Sequence, residues 1–160
     1  VDVPAGALPA SPAKFRSLAA RAVARTGFPG RLSVAVVDDA AMRVLNRDFH
    51  GCDEPTDVLA FALDRPPGVP AAAAFDGEVV VSVDTARLEA AERGVDLLSE
   101  LVLYVVHGTL HLSGEDDHDP ASYRRMHARA LSILAALGLS NTIDPPEAKL
   151  RPGRRPRSSR

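Results

Sequence analysis

Three of the chain's five histidines fall in one short stretch, His107-Gly108-Thr109-Leu110-His111-Leu112-Ser113-Gly114-Glu115-Asp116-Asp117-His118. His107 and His111 are four apart, so a helix places both imidazoles on one face, about 5–6 Å apart at Cβ. Two imidazoles at that spacing can grip one divalent ion from the same side. Gly114 comes just after them and suits the left-handed conformation in which helices commonly end. A chain that folds back there brings His118 to the ion as a third ligand. Three protein ligands with a fourth position open make a catalytic zinc site rather than a closed structural one. The expectation is one Zn2+ on His107, His111 and His118. The plainer alternative is a set of core or surface histidines beside an acidic turn.

Zinc held this way lowers the pKa of a bound water from about 15.7 towards about 7 and polarises the bond under attack. Hydrolysis follows. A zinc protease would need His-Glu-x-x-His, with the glutamate as general base. That position is Gly108 here, so a peptidase reading loses its main support. Glu115, Asp116 and Asp117 are close enough in sequence to act as a base or to orient an imidazole N–H from behind the metal. They read equally well as solvated acids of a turn.

The elements that must hold this site follow from periodicity. Leu97 to Leu112 is apolar on nearly every side, the pattern of a helix in the middle of a domain, and it fixes His107 and His111 on a rigid support. Before it, Ser11 to Gly27 reads as a helix capped by Ser11, with Phe15, Leu18, Ala19, Ala22 and Val23 as its apolar stripe. Leu32 to Val37 is a short β-branched strand. A second helix, capped by Asp38 or Asp39, should turn Met42, Leu45 and Phe49 inward. Gly51 to Thr56 is a loop and Val58 to Phe61 a strand. Asp64 to Asp76 is a flexible Pro/Gly/Ala-rich loop, Gly77 to Ser82 a third strand, and about Thr85 to Arg93 a helix. Asp119 and Pro120 restart a helix that carries Tyr123, Met126, Ala130, Ile133, Leu134 and Leu137 on its core face until Gly138. The order α-β-α-β-β-α-α-α is neither alternating nor all-helical. It predicts an α+β fold: one small mixed sheet with about five helices around the buried metal-bearing helix.

At 160 residues, 46% apolar, the chain is long enough for one domain with a real core, read as residues 1–150. No run reaches the length of a membrane span, and no secretory-signal pattern opens the sequence. The lone Cys52 has no disulfide partner, which fits a reducing, cytoplasmic setting. The net charge of −2 becomes −7 once the five arginines of residues 151–160 are set aside. The body is therefore not a broadly basic nucleic-acid surface. The tail reads as disordered, and is either a solubilising end or an RNA-contacting one.

The histidine stretch resembles the signature of the YbeY endoribonucleases, a family of rRNA maturation factors. Two further segments agree. Leu45-Asn46-Arg47-Asp48-Phe49-His50-Gly51-Cys52-Asp53-Glu54-Pro55-Thr56-Asp57-Val58-Leu59-Ala60-Phe61 is similar to the family's second motif. Gly77-Glu78-Val79-Val80-Val81-Ser82 is similar to its Gly-Asp-Ile-Val-Ile strand. The resemblance implies a single-domain metalloenzyme that cleaves single-stranded RNA. It further implies work on rRNA and the small ribosomal subunit: maturation of the small-subunit rRNA 3′ end, and ribosome quality control. Two positions depart from the pattern. Aspartate stands at 117 where the family has its third histidine, with His118 one residue later. Either the turn absorbs one residue and His118 binds, which keeps the ligand set, or Asp117 takes the ligand role, as a carboxylate can. His50 replaces a family arginine whose permanent fork of donors suits phosphate. His50 and Asp117 are the candidate catalytic residues, with an exposed loop position as the alternative for His50. Asn46 reads as structural and Asp57 as a scaffold residue near the cleft. Other readings are a metal-dependent hydrolase of another substrate, such as a peptide, and a non-catalytic ribosome assembly factor.

Overall fold

The computed structural model describes residues 12–64, 67–68, 70 and 76–140. Along the chain run α1 (Pro12–Thr26), β1 (Leu32–Val37), α2 (Asp39–His50), β2 (Val58–Ala62), β3 (Gly77–Ser82), α3 (Val83–Arg93), α4 (Leu97–Leu112) and α5 (Pro120–Ala136). The class and the element order are those the sequence predicts. Ser11, most of the Pro/Gly/Ala-rich stretch between β2 and β3, and the arginine-rich residues 151–160 lie outside the described residues. No single helix among the described residues is long and apolar enough to cross a membrane.

Helix α4 is the axis of the molecule. Every residue from Leu98 to Leu110 is buried, and each leucine among them stabilises the fold by about 1.5–3 kcal/mol relative to exposure. Asp96 caps its start by accepting from Ser99 N at 3.0 Å. Its end closes with two bonds that recapture orphan carbonyls: Gly114 N donates to His111 O at 2.9 Å and Glu115 N to Leu110 O at 3.1 Å. That closure requires a left-handed residue, and Gly114 supplies it at φ 87°.

The sheet has the order β1-β3-β2, with β1 parallel and β2 antiparallel to the central β3. Side chains alternate between its faces. Val34, Val36, Val58, Val79 and Val81 join the main core under α4, α1, α3 and α5, whereas Leu59 and Val80 pack with Met42 under α2. Both faces are therefore covered.

Two local expectations change. α3 begins at Val83 rather than near Thr85, because Ser82 caps it, its hydroxyl oxygen accepting from Thr85 N at 3.2 Å. Phe49 is not turned into the core. It is 64% exposed and lies in the last turn of α2, its ring 4.9 Å from Phe61 on the edge strand β2.

α5 starts behind Asp119, whose carboxylate accepts from Ala121 N at 2.8 Å, from Ser122 N at 3.1 Å and from the Ser122 hydroxyl. The Ser122 hydroxyl first, then the two amides, lower its pKa to about 2. A lowered carboxylate contributes its full stability above its unfolded value near about 3.9 and loses it as pH falls through the folded value. The cap should therefore survive at pH 3. In a carboxyl carbon NMR titration, Asp119 is expected to turn over near about 2 instead of about 4.

Candidate metal centre

The site begins with the closest approach between α4 and the sheet. A Cβ built on Gly108 would stand 2.9 Å from Val79 Cγ1 and 3.0 Å from Val58 Cγ2. Only hydrogen fits there, so the helix settles onto the valines of β2 and β3. This fixes the position of His107, the preceding residue, and of His111, about one turn on. A glutamate at position 108, as the His-Glu-x-x-His motif would place there, would meet the side chains of Val58 and Val79. Gly108→Ala is expected to destabilise the fold by about 1–3 kcal/mol through overpacking, and Gly108→Glu more, measured as shifts in the urea midpoint.

Three potential donors converge beside that contact. His107 Nε2 and His111 Nε2 are 3.0 Å apart, and His107 Nε2 is 3.8 Å from Asp117 Oδ2. One ligand atom from each of the three residues lies within 4.8 Å of the others. An ion about 2.0–2.1 Å from each of two nitrogens in tetrahedral geometry holds them about 3.3 Å apart. The spacing of the imidazoles thus fits a shared cation. The donor set, two imidazoles and a carboxylate, fits a divalent metal as well. The side chains of His107 and Asp117 are 9% and 5% exposed, so the ion would sit against a dry wall.

His111 is oriented from behind. Its Nδ1 is 3.0 Å from the carbonyl oxygen of Glu115. A carbonyl only accepts, so Nδ1 carries the proton and Nε2 presents its lone pair to the site. The closure of α4 puts that carbonyl in place, because Glu115 is the residue whose N–H returns to Leu110.

The expected third ligand is not where the structure brings the donors together. Asp117, not His118, stands with His107 and His111. From Glu115 to His118 burial alternates: Glu115 and Asp117 are half-buried as whole residues, with the Asp117 side chain almost fully covered, while Asp116 and His118 are exposed. Asp117 is turned in and its neighbour His118 is turned out. His118 is held there through its backbone N–H, 3.3 Å from Asp116 Oδ1.

His50 stands apart from the group. It ends α2, is exposed, and stacks on Phe61 with ring centroids 6.4 Å apart. Asn46 is buried and donates from Nδ2 to Glu54 O at 2.7 Å, tying α2 to the loop after it. Asp57 accepts from the Thr56 hydroxyl at 3.0 Å and from Val58 N at 2.9 Å, so it starts β2 as a scaffold. Sequence reasoning missed His127. Its ring lies 5.2 Å from that of His107 and 3.8 Å from that of Tyr123. The signal was available, since Tyr123 and His127 are four apart on a helix whose Met126 and Ala130 face the core.

A family model described as endoribonuclease YbeY matches residues 12–138. A relative from Halorhodospira halophila, described as endoribonuclease YbeY, is 46% identical over 114 residues, covering 71% of this chain and 74% of its own. A Moorella thermoacetica protein of the same description is 44% identical over 126 residues, with 74% and 81% covered. Among solved structures, the solution structure of TM1509 from Thermotoga maritima matches with a TM-score of 0.53 at 25% identity, over 81% of this chain and 87% of that one.

Proposed function

Because the chain belongs to the YbeY endoribonuclease family, we propose that this endoribonuclease cuts single-stranded RNA with one metal ion, Zn2+, held by His107, His111 and Asp117. The convergence of those three donors carries the reading. Bound there, zinc supplies a Lewis acid that polarises a phosphoryl oxygen and makes water acidic enough to react near neutral pH.

The chain's own residues do the rest. The Glu115 carbonyl keeps the His111 ring in the tautomer that offers Nε2. His107 and Asp117, both with buried side chains, would shield an ion held between them from solvent on their side. Asp117 adds a carboxylate oxygen to two imidazole nitrogens, a donor set that suits a divalent cation. His50 lies outside this donor set; the support for a catalytic part is the family resemblance, in which an arginine occupies its position. The same resemblance supports ribosomal RNA as the substrate, specifically the 3′ end of the small-subunit rRNA, together with a role in ribosome quality control. The free, half-buried Cys52 supports a cytoplasmic setting.

The test is a cleavage assay on a single-stranded and a double-stranded RNA, paired with metal analysis. Cleavage of the single strand, its loss on chelation and its return with added Zn2+ are expected. A metal-loaded protein that leaves RNA intact but cuts casein would refute the assignment. A 2′-deoxy nucleotide at the scissile position separates two nucleophiles: continued cleavage excludes attack by the RNA 2′-hydroxyl.

A further inference from the structure

On α5, remote in sequence from every donor, Arg129 reaches two acceptors at once. Its Nη1 pairs with the Glu115 carboxylate, and its Nη2 donates to Thr26 O at 2.6 Å. Thr26 is the last residue of α1, where unsatisfied carbonyls gather partial negative charge that favours a cation. Glu115 is the residue whose carbonyl accepts from His111 Nδ1 and whose N–H closes α4 on Leu110. Two residues further on, Asp117 Oδ2 stands 3.8 Å from His107 Nε2.

From this chain of contacts we propose that Arg129 is a positioning residue for the metal centre. Its guanidinium straps the ligand-bearing turn to the end of α1, and so sets both the tautomer of His111 and the approach of Asp117. The inference rests on the reading that His107, His111 and Asp117 hold the metal.

Two features separate this role from ordinary stabilisation. The Arg129 and Glu115 side chains are 44% and 27% exposed, and ion pairs so open to water contribute little to folding. The geometry, by contrast, is demanding, because one planar fork must serve two acceptors on different elements. A lysine has a single nitrogen and cannot copy that fork. Removing the strap should therefore change the site far more than the fold.

The experiment compares the full chain with Arg129→Met and Arg129→Lys. Each protein is stripped by chelation and then titrated with Zn2+. In long-range proton–nitrogen spectra of the metal-free protein, wild-type His111 is expected to show a ring protonated at Nδ1 alone. Arg129→Met is expected to show mixed tautomers and a Zn2+ dissociation constant raised about 10–100-fold, the usual cost of losing a residue that orients a ligand. Arg129→Lys should fall between the two, and if the methionine variant fails to fold, it carries the test. Thermal midpoints within a few degrees of wild type complete the expected result. A pure Nδ1 tautomer in the variants, with dissociation constants within about twofold of wild type, overturns the proposal. The tautomer is read without metal, so a wild-type chain that binds no Zn2+ overturns the metal assignment separately.

Discussion

Alanine at His111 or at Asp117 is expected to strip the metal and to lower RNA cleavage by at least about a thousandfold, while alanine at His118 leaves the metal bound. The magnitude follows from the several kcal/mol that a Lewis acid supplies to a phosphoryl transition state, at 1.36 kcal/mol per tenfold in rate. The contrast between neighbouring positions follows from the turn. Asp117 points at His107 across 3.8 Å, whereas His118 is exposed and anchored by its backbone to Asp116. Metal content by mass spectrometry, read beside single-turnover cleavage, checks both halves. Zinc lost from His118→Ala but kept by Asp117→Ala would reverse the ligand assignment. Asp117→His adds a finer arm. Carboxylate suits harder ions such as Mn2+ better than imidazole does, so the histidine variant is expected to raise the ratio of Zn2+ to Mn2+ affinity.

That ligand choice marks the boundary of what the sequence makes legible. The two-histidine face is fixed by helical spacing, and α4 spans the residues its apolar run predicts, because no competing structure buries so many leucines and valines. The strands are equally clear, since β-branched runs bounded by glycine and aspartate have few alternatives. Which of two adjacent residues turns inward is a different kind of question. It depends on the φ and ψ of a few turn residues, and those are set by contacts with residues distant in sequence, such as Arg129. Phe49 failed for a related reason. Its helical phase is that of Met42, but its turn of α2 lies at the edge strand, so a core-facing phase does not bury it. For His127 the spacing to Tyr123 marks a shared helix face but not what that face meets; only the packing of α5 on α4 puts the ring beside His107. Local patterns are thus legible wherever burial alone decides them, and opaque where one side chain answers to another element.

The largest loss of stability is expected from Arg93→Ala. Glu100 sits on α4, two turns before His107, and is completely buried. Arg93 of α3 pairs with it through Nη1, and through Nη2 with Glu89 at 2.9 Å. Burial opposes the charge on Arg93, but the carboxylates of Glu100 and Glu89 outweigh it, and its pKa is raised. The guanidinium therefore stays charged and shared between two acids. Removing it takes the shared guanidinium away from two buried carboxylates. Breaking one side of a buried ion pair costs about 3–5 kcal/mol, a large share of the about 5–15 kcal/mol that holds a domain together. Urea denaturation of Arg93→Ala should show a midpoint lowered accordingly with an unchanged slope. The triple variant Glu89→Gln/Arg93→Met/Glu100→Leu should recover much of the loss, because it removes both carboxylates along with their guanidinium and leaves no charge to desolvate. A single variant that loses less than about 1 kcal/mol would mean that the carboxylates are screened as surface pairs are, and that α3 and α4 are held together by their apolar contacts alone.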